Sequence, residues 1–99
     1  ERPTAIFAVN DMTAVGIIQK FVESGVRVPE DVSIIGFDNI EISSMINPPL
    51  TTVNQPAFET GRLACKLLLD SLQDKQSNDF SITLEPSLVV RKSVKRIHR

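Results

Sequence analysis

The stretch VSIIGFD, residues Val32 to Asp38, is an apolar run of strand length that stops abruptly at an acid. It is rich in β-branched residues and lacks clean alternation, which is typical of a strand covered on both faces. A similar run, Thr4–Val9, ends at Asn10-Asp11, and the segment between the two runs has the spacing of a helix that ends at Gly25. Two strands joined by a helix form a βαβ unit with parallel strands. The predicted fold class is therefore α/β with a parallel, Rossmann-like sheet.

Two more helices and two more strands are predicted after Asp38. Ile40–Ile46 is long enough for two helical turns before the prolines that follow it, and Leu50–Val53 has the length and composition of a short strand. Pro56 is placed to open another helix, and Leu88–Val90 is typical of a last strand. That helix carries one apolar stripe, made of Gly61, Ala64, Cys65, Leu68, Leu69 and Leu72.

Composition and charge limit the class of protein. The 99 residues contain one cysteine and no apolar run approaching the ~20 residues of a membrane-spanning helix. These features favour a reducing, cytoplasmic location without membrane contact. Because the chain starts at Glu1 without a methionine or a leader, we expect a piece of a longer protein. Five of its eleven basic residues lie in the last nine positions; a solvated, frayed C-terminus is preferred for this tail over contact with nucleic acid or lipid.

Residues suited to catalysis are scarce. The single histidine, His98, lies in the basic tail, and Cys65 lies on the apolar stripe, where a buried thiol acting as a small hydrophobe is expected. The sequence has no glycine-rich phosphate loop and no clustered metal-ligand spacing. An enzyme would have to depend on Asp11 and Asp38 alone. We therefore expect a protein that is not an enzyme and holds no cofactor or metal.

Polar residues follow the first two predicted strands. Asn10 follows the first strand and Asp38 the second, so both are expected at the carboxyl edge of the sheet, where ligands bind in open parallel sheets. The alternative is that they only cap helices. Either Asn10 or Asp11 could cap the first helix while the other points into the cleft, and Asn39 could cap the next helix in place of Asp38.

Four motifs identify a relative. They are AIFAVND (residues 5–11), SGVRVPEDVSIIGFD (24–38), PPLTTVNQP (48–56) and LVVRKS (88–93). In this order and spacing they resemble the C-terminal part of the effector-binding domain in the LacI/GalR family of bacterial transcriptional repressors. The resemblance implies a type I periplasmic-binding-protein-like fold, in which two α/β subdomains are joined by crossing strands and hold a small molecule in their cleft.

The same resemblance implies a binding site for a sugar or a related metabolite. By position, Asn10 and Asp38 match residues that line the family's cleft, and Gln55 matches more weakly a residue that approaches the effector in some members. The chemistry is suitable, because a carboxylate accepts hydrogen bonds from adjacent sugar hydroxyls and an amide both donates and accepts them. Family members often carry a second acid where Asn39 stands, which leaves the identity of the effector open.

A dimer surface is also implied by the resemblance. The helix that starts near Met12 and the segment around Met45 resemble the family's dimer surface. Its candidate residues are Val15, Ile18, Met45 and Ile46. The alternative is that these apolar side chains belong to an ordinary core, because apolar stripes usually pack inward.

Domain organisation follows from the resemblance as well. Residues 1–54 would form the C-terminal subdomain, 55–78 a helix of the N-terminal subdomain, 79–94 the return strands and 95–99 the basic tail. Operator DNA would be bound through an N-terminal helix-turn-helix that this chain does not contain. The apolar stripe of the second helix would then lie exposed, and we expect the isolated chain to associate or to swap that helix.

Three rival interpretations stay open. A periplasmic sugar receptor of the same fold fits the motifs but is disfavoured by the missing leader. A phosphoacceptor receiver domain also places acids at strand ends, but it would need a lysine at a later strand end and clustered acids around Mg²⁺. A pure dimerisation or scaffold module is the third. The preferred function is the effector-binding and dimerisation part of a repressor that transmits effector binding to DNA affinity.

Overall fold

The computed structural model describes residues 2–73 and 82–97. Its elements in chain order are β1 (Ala5–Phe7), α1 (Asp11–Glu23), β2 (Ser33–Asp38), a 3₁₀ turn (Glu41–Ser44), β3 (Thr51–Asn54), α2 (Ala57–Leu72) and β4 (Ser87–Val89). The strand order is β1-β2-β3-β4; the first two pairs are parallel, and β4 runs antiparallel to β3. The predicted α/β class with a parallel βαβ unit is confirmed.

The chain separates into two compact units. The first runs to Gln55 and resumes at Ser87, and the second spans Pro56–Pro86. The sheet and α1 lie in the first unit, and α2 lies in the second. The assignment of the second unit to another subdomain, which the resemblance implies, stays a prediction.

The core of the first unit lies between α1 and one face of the sheet. Ala14 and Ile18 of α1 are buried in the same cluster as Ile34 of β2 and Leu50. Asn10 caps α1, and Gly25 follows its C-terminal end with φ +76°, a conformation that glycine adopts without steric cost. The predicted start and stop signals of this helix are confirmed.

The predicted helix Ile40–Ile46 is wrong in type and length. Only Glu41–Ser44 is helical, in the tighter 3₁₀ form. The Ser43 hydroxyl donates to the Ile40 carbonyl oxygen at 2.6 Å, and the Ser43 carbonyl oxygen accepts the amide of Leu50 at 2.8 Å. These bonds give the backbone partners that compete with an α-helix.

The expectation of a frayed C-terminus is wrong for residues 91–95. The Ser93 hydroxyl donates to the Ile34 carbonyl oxygen at 2.6 Å and accepts the Thr51 amide at 2.8 Å, so it bridges β2 and β3. The Lys95 amide donates to the Ser33 hydroxyl at 3.1 Å. Because buried polar groups are bonded here, the segment is part of the fold. His98 and Arg99 lie outside the described residues, as does most of the predicted polar connector over residues 73–79.

Several apolar side chains are more exposed than the sequence predicts. Phe7 is 66% exposed, so β1 is not buried on both faces. No residue of α2 is buried, and Cys65 is exposed, which contradicts its expected role as a buried hydrophobe. All six residues of the predicted apolar stripe of α2 are exposed, because the pattern of a helix does not by itself decide its burial. In that same part of the chain, no helix is long and apolar enough to cross a lipid bilayer.

Candidate functional site at the carboxyl ends of the strands

The backbone is unusual where β2 ends. Asp38 has φ +116° and Asn39 has φ +55°. Positive φ is uncommon outside glycine; asparagine tolerates the left-handed region, whereas the angle of Asp38 lies outside it. Such conformations persist only where the surroundings enforce them, and they concentrate at functional sites.

Asp38 and Gln55 lie together. The Gln55 Nε2 donates to the Asp38 Oδ1 at 2.6 Å, and both residues are exposed. The contact arises because β2 and β3 are parallel neighbours with Asp38 opposite Asn54, the residue before Gln55. The fold thus brings two of the three predicted effector-binding residues into contact, with a carboxylate and an amide facing solvent.

Asn10 has a different bonding role. Its Oδ1 accepts the amide of Thr13 at 2.8 Å and caps α1. Within the described residues, no hydrogen bond joins Asn10 to Asp38 or Gln55. Because the cap uses only the oxygen, the amide group of Asn10 keeps its donors.

Asp11 does not point into a cleft. It is 0% exposed; its Oδ1 accepts the Thr52 hydroxyl at 2.6 Å and its Oδ2 accepts the Ile40 amide at 2.8 Å. The carboxylate also lies in the first turn of α1, where the helix dipole favours negative charge. Asp11 is therefore a buried connection between α1, β3 and the segment after β2.

Gly36 makes room for this carboxylate. A Cβ added at Gly36 would overlap the Asp11 Oδ1 and would lie 2.8 Å from the Leu50 Cδ2. Its role is therefore the absence of a side chain and not a special backbone angle. The single glycine in the β2 run is explained by the acid packed against it.

Asn39 joins three elements. Its backbone amide donates to the Thr52 hydroxyl at 3.3 Å, and its Nδ2 donates to the Asn54 Oδ1 at 3.1 Å. Its Oδ1 accepts the Arg91 Nη2 at 2.8 Å. Ile40, not Asn39, occupies the cap position of the 3₁₀ turn and makes no side-chain cap bond. The alternative interpretation, in which Asn39 or Asp38 caps this helix, is therefore wrong.

Sequence reasoning missed Arg91, which it placed in the basic tail. The Arg91 Nη1 donates to the Ser43 hydroxyl at 2.8 Å and to the Leu50 carbonyl oxygen at 2.9 Å. The available signal was its place directly after the last strand, inside the LVVRKS motif. Every buried side-chain nitrogen and oxygen in the described part of the chain has a hydrogen-bond partner.

Two carboxyl groups that take no part in the Asp38–Gln55 contact have a lowered pKa. Hydrogen bonds from Arg27 lower the pKa of Asp31 to about 2. A hydrogen bond from Arg62 lowers the pKa of Glu59 in α2. Both carboxylates belong to exposed ion pairs. No group of three or more potential metal ligands occurs in residues 2–73 and 82–97.

The four candidate dimer residues differ in exposure. Ile18 is 4% exposed and belongs to the core, as the alternative interpretation allows. Val15 is half-buried, Ile46 packs against the core, and Met45 is exposed. A hollow of about 380 Å³ is lined by Val15, Ile18 and Ile46 together with polar residues of α1.

The chain is similar to known proteins along almost its whole length. Residues 1–94 match the family described as periplasmic binding protein-like domain. The HTH-type transcriptional repressor PurR of Photobacterium profundum is 44% identical over 98 residues, which are 99% of this chain and 29% of that protein. The chain therefore spans about three tenths of the length of the repressor that it matches.

Solved structures show the same fold. A transcriptional regulator LacI from Bacillus cereus subsp. cytotoxis aligns with a TM-score of 0.95 and 33% identity, over 99% of this chain and 35% of its own. A LacI family transcriptional regulator from Enterococcus faecium with bound ribose aligns with a TM-score of 0.88 and 40% identity. The alignment covers 95% of this chain and 35% of that regulator. The Lac repressor dimer bound to operator and the anti-inducer ONPF aligns with a TM-score of 0.85 and 38% identity. The alignment covers 93% of this chain and 32% of the repressor chain.

Proposed function

From the premise that this chain belongs to the periplasmic binding protein-like domain family of LacI/GalR regulators, we propose that Asp38 and Gln55, together with Asn10, bind a small-molecule effector, a sugar or a related metabolite. Binding would change the affinity of the complete protein for operator DNA. The named relatives are transcriptional repressors and regulators, which are not enzymes, in agreement with the non-catalytic interpretation.

The observation that carries this proposal is the contact between Asp38 and Gln55. An exposed carboxylate and an exposed amide lie 2.6 Å apart at the carboxyl ends of two parallel strands, on a backbone with positive φ. Together they can accept and donate hydrogen bonds to vicinal hydroxyls. Asn10, at the end of β1, would add an amide donor. The bound ribose in the Enterococcus faecium regulator supports a sugar as the class of ligand.

Effector binding would act through a change of population. A ligand shifts an equilibrium between two conformations only by its difference in affinity for them. The Asp38 Oδ1 already accepts the Gln55 Nε2, so a ligand that bonds to this oxygen would compete with Gln55. Gln55 is the last residue of the first unit before Pro56 opens the second. We infer that the conformation of this connection depends on whether Asp38 bonds to Gln55 or to the effector.

The apolar surface of Val15, Met45 and Ile46 would form a homodimer contact. Its support is the exposure of Met45 and the hollow lined by Val15 and Ile46, and the Lac repressor, similar over 93% of this chain, is a dimer on its operator. In the complete natural protein, Met45→Glu should shift the mass measured by sedimentation equilibrium toward the monomer. An unchanged dimer would contradict this assignment. The complete protein would be cytoplasmic, as a repressor of operator DNA must be.

The rival functions make different predictions. A receptor of the same fold would bind sugar but show no coupling to DNA, and a receiver domain would bind Mg²⁺ through clustered acids, which the described residues do not offer. A scaffold module would bind neither.

The test is a titration of the complete natural protein in two steps. Calorimetry with ribose, glucose, cellobiose, sucrose and free nucleobases should find one ligand that binds, and that ligand should change the fluorescence-anisotropy titration of an operator duplex. Nucleobases are included because an amide and a carboxylate also fit the polar edge of a heterocycle. A sugar that binds without any change in DNA affinity would favour the receptor; no binding by any probe would overturn the proposal.

A further inference from the structure

The guanidinium of Arg91 donates to the side chain of Asn39, the neighbour of Asp38, and has no role in the function proposed above. It reaches three neutral acceptors within 3 Å, namely the Ser43 hydroxyl, the Leu50 carbonyl oxygen and the Asn39 Oδ1. In the described part of the chain, the ion pairs are formed by other residues. We propose that Arg91 is a positioning residue: it holds the turn at Asp38 and Asn39 in the conformation that presents Asp38 and Gln55 to an effector.

The turn needs such support. Two consecutive residues with positive φ are unfavourable for side chains other than glycine, so isolated Asp38 and Asn39 would relax to ordinary angles. Their backbone receives support from the Thr52 hydroxyl, at a long 3.3 Å to the Asn39 amide, and from the Asp11 carboxylate at the Ile40 amide. The Arg91 bond to the Asn39 side chain is 2.8 Å long, shorter than the Thr52 bond and equal to the Asp11 bond, and its donor carries a positive charge.

Arg91 also fixes which way the Asn39 amide points. Because the guanidinium only donates, the oxygen of Asn39 must face it and the nitrogen must face away. That nitrogen donates to the Asn54 Oδ1 at 3.1 Å. Asn54 precedes Gln55, whose amide bonds to Asp38 at 2.6 Å. A continuous path of contacts therefore leads from Arg91 to both residues of the candidate site.

Only arginine fits this position. Its planar fork donates from two nitrogens in fixed directions, and here Nη1 and Nη2 serve acceptors on different segments. A lysine keeps the positive charge but has one nitrogen, which cannot reach the Ser43 hydroxyl and the Asn39 oxygen in the same geometry. Arg91→Lys thus separates charge from geometry.

The inference rests on the proposed function, and its test uses the complete natural protein. Wild type, Arg91→Lys and Arg96→Lys are titrated by calorimetry with the ligand that binds among ribose, glucose, cellobiose, sucrose and free nucleobases. Arg96 is an exposed base of the same segment and serves as the matched control. We expect Arg91→Lys to raise the dissociation constant by about tenfold or more, because a charge-assisted bond to the turn is lost. Arg96→Lys should bind as wild type.

A merely structural role would give a different result. Global unfolding lowers apparent affinity only by the unfolded fraction, which circular dichroism measures for each variant at the titration temperature. A tenfold loss in a protein that is more than nine tenths folded therefore cannot come from instability. Arg91→Lys binding within twofold of wild type would overturn the inference while the proposed function stands.

A second variant covers the case in which Arg91→Lys does not fold. Asn39→Ala removes the amide that Arg91 holds and leaves the bonds of Arg91 to Ser43 and Leu50 in place. It should weaken ligand binding to a similar extent and should speed hydrogen exchange of the Asp38–Ile40 backbone, with the amides of residues 33–37 unchanged. Normal affinity in this variant would overturn the inference. If wild type binds none of the sugars and none of the nucleobases, the proposed function fails and the positioning role fails with it.

Discussion

Gly36 shows how one residue can be fixed by a neighbour far away in sequence. Its Cα faces the Asp11 carboxylate and the Leu50 side chain, and an added methyl group would overlap the first and crowd the second. Asp11 cannot move freely, because its two oxygens accept the Thr52 hydroxyl and the Ile40 amide. The site at the strand ends therefore depends on a missing side chain two residues before Asp38 in the same strand.

Gly36→Ala should destabilise the fold by about 1–3 kcal/mol, since an added methyl group in a packed core displaces the side chains around it. Gly16→Ala is the matched control: Gly16 lies in α1, and an added Cβ there meets nothing within 4 Å. The control should stabilise by about 0.5–1 kcal/mol, because alanine is the better helix former. Urea denaturation of both variants measures the difference. If Gly36→Ala and Gly16→Ala were equally stable, the packing of Asp11 against Gly36 would not be tight.

Residue roles were predicted unevenly from the sequence. The sequence allows either Asn10 or Asp11 as the cap of α1, and Asn10 is the cap. Nothing local indicates that Asp11 is buried against Thr52, forty-one positions away. Arg91 was missed for the same reason, because its partners Asn39 and Ser43 come from another part of the chain. Long-range polar contacts leave no periodic pattern, so the sequence predicted which segment ends meet but not which atoms bond.

At the scale of elements, the connection between α1 and β2 contains an ion pair in addition to its backbone hydrogen bonds. The Arg27 Nη2 lies 3.0 Å from the Asp31 Oδ1, and the Arg27 amide donates to Asp31 Oδ2 at 2.8 Å. These hydrogen bonds lower the pKa of Asp31 from its ordinary 3.8 to about 2. A carboxyl whose pKa is lower in the folded state stabilises the fold above its unfolded pKa and loses that contribution as the pH falls through the folded value.

The melting temperature of Asp31→Asn should therefore lie below that of wild type by a constant amount from pH 7 to about pH 5. The difference should shrink between about pH 4 and pH 2, where Asp31 of the folded wild type takes up its proton. Calorimetric scans across this range measure it, and Glu30→Gln controls for the loss of one negative charge. A difference that stays constant down to pH 2 would contradict the role of this pair.

Elements with local signals were predicted well. The cap at Asn10, the stop at Gly25 and the strands β2 and β3 lie within a residue or two of their expected places. The 3₁₀ turn was not predicted, because its shape is set by Ser43 bonding to Ile40 and Leu50. Burial of β1 and Cys65 was also wrong, since burial depends on what covers an element and not on the element's own pattern.

At the scale of the whole molecule, the 99 residues leave much apolar surface uncovered. Phe58 is 84% and Leu72 is 73% exposed on α2. A soluble monomer rarely exposes apolar patches of more than a few hundred square ångströms. The chain expressed alone should therefore associate, directly or by exchange of α2, and sedimentation velocity should show a mass that rises with concentration. A single monomeric species at high concentration would contradict this expectation.

The most direct measurement of the central claim is the affinity of the complete natural protein for its sugar with and without Asp38. Calorimetric titration compares wild type, Asp38→Ala and the control Glu41→Ala, which removes an exposed acid from the adjacent 3₁₀ turn. If Asp38 accepts hydrogen bonds from sugar hydroxyls, Asp38→Ala should lose about a hundredfold in affinity, and Glu41→Ala should bind as wild type. Equal binding by wild type and Asp38→Ala would contradict the effector site proposed at the ends of β2 and β3.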